Sequence, residues 1–147
     1  MTATSHALIG TIIAAKIGNP ALAIPIAIAS HIAADIIPHW DTGTSRRKKT
    51  YKKMFTDSFL DVVVGFILSY LLIILFFPKT DITYAFIIII ASQLLDWITA
   101  FYYFFHIKTF KCAYSFQKLF NNDLDLPWGL VTQIAFVVLL LALAKIF

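Results

Sequence analysis

Four long apolar runs, Ala21–Ile37, Val62–Phe77, Ile82–Ala100 and Leu130–Leu143, restrict what this chain can fold into more than any other feature. A run of about 18 residues with few charges is what a helix needs to cross the hydrocarbon of a bilayer. Hydrophobic residues make up 60% of the 147, with a mean hydropathy of +0.82. Soluble domains carry about half, so an ordinary soluble fold is excluded. The sequence predicts an all-α, polytopic integral membrane bundle of about five membrane helices, with residues 1–147 as a single membrane domain.

Punctuation sets the expected helices. Helix one is expected over residues 5–17, with Thr4 or Ser5 as its N-cap. Gly18-Asn19-Pro20 is a turn signal. Helix two follows to about Ile37, because Pro38 disfavours helix at the residue before it. These two are short. Gly10, Ala14 and Gly18 in the first and Ala23, Ala27, Ala29 and Ala33 in the second offer the small residues that let helices approach closely in lipid. They read as two spans or as a re-entrant hairpin; in either case their outer ends share one side. Helix three is expected over 54–77, helix four over 82–104 and helix five from Pro127, a favoured first-turn residue, to about Ala144. The aromatic and basic stretch 106–126 suits an interfacial segment.

Charge gives the orientation. Of twelve Lys and Arg, six lie in 39–53 and three in 105–126, leaving Lys16, Lys79 and Lys145 for the other side. The positive-inside rule puts both loops and the N-terminus in the cytoplasm, and the expected location is a prokaryotic cytoplasmic (inner) membrane. The net charge of +4 is then an orientation signal and not a nucleic-acid surface. The expected partners are membrane lipid and, at the Arg46–Lys53 loop, anionic headgroups. No secretory n-region precedes the first helix. The single cysteine, Cys112, permits no internal disulfide and reads as a bystander.

On that topology the ionisable residues collect in one half. All eight acids are aspartate. His6 opens helix one; His31 and Asp35 lie one turn apart at the end of helix two; His39 and Asp41 follow Pro38. Asp57 and Asp61 share one face in the first turns of helix three, and Asp96 lies in helix four roughly 12 Å before its end. A charge within a membrane helix costs on the order of 3 kcal/mol and usually marks function. Imidazole with carboxylate suits a divalent transition metal, zinc, manganese or iron, and so many donors suit one or two ions. His6, His31, Asp35, His39 and Asp41 are the expected ligands. Asp61 and Asp96 are expected as ligands or a base, and Asp57 as a supporting group. His106 reads as interfacial, and Asp123 and Asp125 as flanking helix five or reaching the site from the loop.

Ser5-His6, and a second helix ending in Pro38-His39-Trp40-Asp41, resemble the YdjM-like membrane-bound metal-dependent hydrolases, small bacterial inner-membrane proteins. His6 matches their early histidine and Asp41 the second aspartate of their Pro-Asp-x-Asp-His block; His39 stands where they have the first aspartate. The resemblance covers about the first 60 residues, with Asp96 as a further match, and implies metal-dependent hydrolysis. With the residues, it makes the leading expectation an enzyme acting at the cytoplasmic headgroup level on a lipid or amphiphile ester or phosphoester. A divalent-cation or proton transporter or channel would also use intramembrane acids and histidines, but few polar residues continue through the other half: Ser69, Tyr70 and Tyr84. A non-catalytic membrane scaffold leaves the convergent acids unexplained.

Overall fold

The computed structural model of the protein describes residues 1–44 and 49–147. Among these the chain is all-helical: α1 (Ala3–Lys16), α2 (Pro20–Asp35), α3 (Tyr51–Phe76), α4 (Ile82–Phe105), a 3-10 turn (Lys108–Phe110), α5 (Lys111–Gln117) and α6 (Trp128–Ile146). Three helices, α3, α4 and α6, are long and apolar enough to cross a membrane. The shorter α1 and α2 form an antiparallel hairpin, and α5 is a short helix within residues 106–126.

Side chains fix most helix starts. Thr50 Oγ1 accepts from Lys53 N at 3.3 Å and Asp81 Oδ1 from Tyr84 N at 2.6 Å; Asn19 Oδ1 takes Ala21 N at 2.9 Å. Each satisfies an amide that the first turn leaves without a partner. At α1 the cap is Thr2, whose Oγ1 accepts from Ser5 N at 3.2 Å, not Thr4 or Ser5, so the helix starts two residues earlier than expected. His106 ends α4 in the left-handed conformation and is exposed.

The first helix is the centre of the bundle. α1 packs heavily on α3 and α4 and also touches α2 and α6, whereas α3 and α4 meet each other sparingly. A helix apolar all round belongs inside, and most of α1 is buried. Two glycines permit the close packing. A Cβ on Gly10 would come within 2.5 Å of Ser92 Oγ and 3.2 Å of Ile89 Cα; one on Gly65 would lie 3.0 Å from Thr4 Cα. Gly18, by contrast, has no neighbour within 4 Å. On α2 the buried face is Ala23, Ala27, His31, Ala34 and Asp35, while Ala29 and Ala33 face outward. The small-residue stripe therefore runs straight into the polar pair.

The N-terminus, residues 39–44 and residues 106–126 meet at one end of the bundle. His39 N donates to Asn122 O at 3.0 Å and Leu124 N to His39 O at 2.7 Å, while Asn122 N caps the Asp35 carbonyl at 3.1 Å. Gln133 of α6 ties the same end together: its Oε1 accepts from Ser5 Oγ at 3.1 Å and its Nε2 donates to Trp40 O at 3.2 Å. At the opposite end Lys145 Nζ donates to Phe76 O at 3.1 Å and the Tyr84 hydroxyl to Ile17 O.

Candidate metal centre

Three helices bring four donors together. His6 comes from α1, His31 and Asp35 from α2, and Asp96 from α4. His6 Nε2 lies 3.2 Å from Asp35 Oδ1; His31 Nε2 lies 3.3 Å from Asp35 Oδ2 and 3.5 Å from Asp96 Oδ1. One ligand atom each from His6, His31 and Asp96 falls within 4.8 Å of the other two. The His6 and His31 rings stack at 3.8 Å between centroids, and both Nε2 atoms face the Asp35 carboxylate. The α-amino group of Met1 also pairs with Asp35 Oδ1.

Hydrogen bonds orient the imidazoles. His31 Nδ1 lies 2.8 Å from the Ser92 carbonyl oxygen. A carbonyl only accepts, so Nδ1 carries the hydrogen, and in the neutral ring Nε2 presents a lone pair. That lone pair faces two carboxylates. Metal-binding histidines are held in this way, by the nitrogen remote from the ion. The Ser92 hydroxyl in turn donates to the His6 carbonyl at 2.8 Å, which locks α1 to α4 beside both rings. His6 Nε2 is buried and, although near Asp35, lacks a hydrogen bond.

The donor set fits a divalent transition metal. Ligands of one such ion stand a few ångströms apart, and three of the donor separations here are 3.2, 3.3 and 3.5 Å, the first two to different oxygens of Asp35. Two imidazoles and two carboxylates are borderline-soft and hard donors that suit zinc, manganese or iron. The orphaned buried His6 Nε2, facing the Asp35 carboxylate, is a donor that a cation between them would satisfy.

Gln117 of α5 closes the group from above. Its amide nitrogen donates to Asp96 Oδ1 at 2.6 Å and sits 3.1 Å from His31 Nε2. Beside it opens a cavity of about 200 Å³ between α3, α4 and α5, bordered by Met1, Asp61, Asp96 and Gln117 on its inner side. Asp96 is 28% exposed while His31 and Asp35 are at 1%, so Asp96 is the donor that a molecule in the cavity would meet.

The other expected site residues lie around this group. His39 is buried with Nε2 3.8 Å from Asp35 Oδ1, but its nitrogens already face the Ile37 carbonyl at 2.7 Å and Asn121 Oδ1 at 3.0 Å. It also belongs to a separate group with Asp41 and Asp123. Asp41 Oδ1 accepts from Thr44 Oγ1 at 3.0 Å, and Asp123 Oδ1 from Asn121 Nδ2 at 2.8 Å. Asp61 borders the cavity but is spent on α1: it accepts from Ala3 N at 2.7 Å, Thr4 N at 3.2 Å and Thr4 Oγ1 at 2.6 Å. Asp57 pairs with Lys53 at 3.2 Å. Residues 45–48 of the basic loop lie outside the described residues; Lys49 turns back to the Thr42 carbonyl at 2.8 Å and lies over the Trp40 ring.

Ser92 and Gln117 were not among the expected residues. Ser92-Gln93 interrupts the apolar run of α4 and is visible in the sequence as such; Gln117 sits in a mixed segment with no pattern to single it out. Comparison with protein-family models, with curated proteins and with solved structures finds no match.

Proposed function

We propose that the protein is a membrane-embedded metal-dependent hydrolase, akin to the YdjM-like group. Its site would lie at the cytoplasmic headgroup level of a prokaryotic inner membrane, with a lipid or amphiphile ester or phosphoester as substrate. The observation that carries this reading is the convergence of His6, His31, Asp35 and Asp96 from three helices at the wall of a cavity; His6, His31 and Asp35 would hold the ion with a position left open for water, and Asp96 would act beside it. A divalent cation held there supplies Lewis-acid polarisation of a carbonyl or phosphoryl oxygen and makes water more acidic. The chain supplies the rest. Ser92 fixes the His31 tautomer, and the buried Asp35 faces both imidazoles. Asp96, partly exposed to the cavity, is positioned to take a proton from an attacking water, and Gln117 steadies its carboxylate. The aromatic and aliphatic wall of the cavity limits water around the reacting ester. The positive loops support the inward orientation of this end.

The test is elemental analysis of protein purified in detergent without chelator. The wild type is expected to carry about one to two divalent ions per chain, and His31→Ala and Asp35→Asn to carry none while remaining monodisperse. A wild type empty of transition metal sinks the proposal.

A further inference from the structure

The cavity beside Asp96 has features that a purely soluble substrate would not need, and they bear on which ester reaches the site. Its walls come from two membrane-length helices. α3 contributes Met54, Ser58 and Val62, and α4 contributes Trp97, Ala100 and Tyr103. Because α1 holds these helices apart, they touch through aromatic contacts at two levels. Above the cavity Phe55 meets Phe104 with ring centroids 5.3 Å apart. Below it Phe66 meets Phe86 at 5.3 Å and Trp97 at 6.5 Å. From Phe55 to Phe66 is three turns of helix, roughly 16 Å. Val62 and Ala100, between those levels, and Trp97 at the lower one are half-buried, and the neighbouring outward residues Phe59 and Val63 are exposed and apolar. The seam between α3 and α4 is thus bordered by outward apolar residues and flanked by aromatic contacts, the surface that two membrane-length helices would present to lipid.

The charge at the rim is the second feature. Lys118 borders the cavity next to Gln117, and it is the only cationic side chain among the described lining residues. It has no carboxylate partner among the described residues, whereas Lys53 pairs with Asp57 and Lys49 with a carbonyl. Asp41, Asp61 and Asp96 also line the cavity and repel an anion that has no counter-charge, and the other cation of the lining, the Met1 ammonium, is already paired with Asp35. Lys118 therefore selects for a negative group at the rim, in reach of the donors but above the apolar wall.

We propose that this cavity takes a phosphate ester carrying an acyl chain, with the phosphate on Lys118 and the chain leaving laterally between α3 and α4 through the seam at Val62, Trp97 and Ala100. This rests on the reading above that the site acts on an amphiphile, and it adds the headgroup charge and the route. The complementarity is of two kinds: a cation for the phosphate, and an apolar, lipid-facing slot continuous with the cavity for the chain.

Native mass spectrometry on protein as purified, in micelles doped with one probe at a time, tests both halves. The probes are phosphatidic acid, diacylglycerol of the same chains, and glycerol phosphate. The wild type is expected to retain phosphatidic acid best, about tenfold over diacylglycerol, the ratio that 1.4 kcal/mol gives, and glycerol phosphate least. Lys118→Gln should bring phosphatidic acid down to the diacylglycerol level, and Lys118→Arg should restore it. Ala100→Trp, which fills the seam, should abolish retention of both lipids; if that variant is not monodisperse, Val62→Phe fills it from the α3 side. Wild-type retention in the seam variant overturns the route, and full phosphatidic acid preference in Lys118→Gln overturns the headgroup assignment. Glycerol phosphate held as tightly as phosphatidic acid would mean a free phosphate ligand and overturn the role of the chain. Metal content measured on the same samples keeps the two questions apart: a metal-free protein that still selects phosphatidic acid would sink the catalytic proposal and leave this one standing.

Discussion

Asp57 and Asp61 lie one turn apart on α3, yet they meet different neighbours. Asp61 accepts two backbone amides and a hydroxyl from the first turn of α1, which makes it an N-terminal counter-charge supplied from another helix. Asp57 makes a part-exposed pair with Lys53, of a kind that contributes little. Asp61→Ala is therefore expected to lower stability by about 1–2 kcal/mol, as the loss of a cap does, and to keep the bound metal. Asp57→Ala should stay within about 0.5 kcal/mol. Thermal unfolding in detergent with metal analysis of the same samples checks both; loss of metal in Asp61→Ala would return that residue to the ligand set. The pair His31 and Asp35 was legible from spacing alone, because four residues on a helix fix one face. What Asp61 does was not, since its partners are amides of a helix 58 residues earlier.

At the scale of elements, the hydropathy pattern located the long helices to within a few residues and set residues 106–126 apart as a separate segment between α4 and α6. It did not reveal that α1, at 14 residues the shortest of the apolar helices, is the one the others surround. That follows from small residues at particular heights: Gly10 lets α1 approach Ser92, and the same contact lets the Ser92 hydroxyl reach the His6 carbonyl and its own carbonyl reach the His31 ring. Packing and site are one arrangement here. Gly10→Ala would set a Cβ against Ser92 Oγ and the Ile89 backbone, and overpacking of that kind costs about 1–3 kcal/mol. Ser92 would have to turn and α1 to shift, so weaker metal retention should accompany the lower melting temperature. A Gly10→Ala protein with an unchanged melting temperature and full metal would show that the approach of α1 to α4 does not hold the site.

For the whole molecule the decisive property is sidedness. The N-terminus, residues 39–44 and the segment 106–126 share one end of the bundle, and nine of the twelve Lys and Arg fall within residues 39–53 and 105–126 of the sequence. The helices do not by themselves say which face of a membrane this end meets; the proposed inward orientation rests on the charges, because short basic loops favour the cytoplasmic side. Cys112 provides a label for the question. It is the only cysteine in the chain, it is exposed, and it lies on α5, the same helix whose Gln117 touches Asp96 and His31. Its accessibility therefore reports the side on which the site opens. A membrane-impermeant maleimide is expected to label Cys112 in inverted inner-membrane vesicles and not in intact spheroplasts, with a cysteine placed at Lys79, between α3 and α4 at the other end, giving the reverse. Labelling of Cys112 from outside would put the cavity and Lys118 in the outer leaflet. The donor geometry would survive that result, but the inward-facing substrate pool would not.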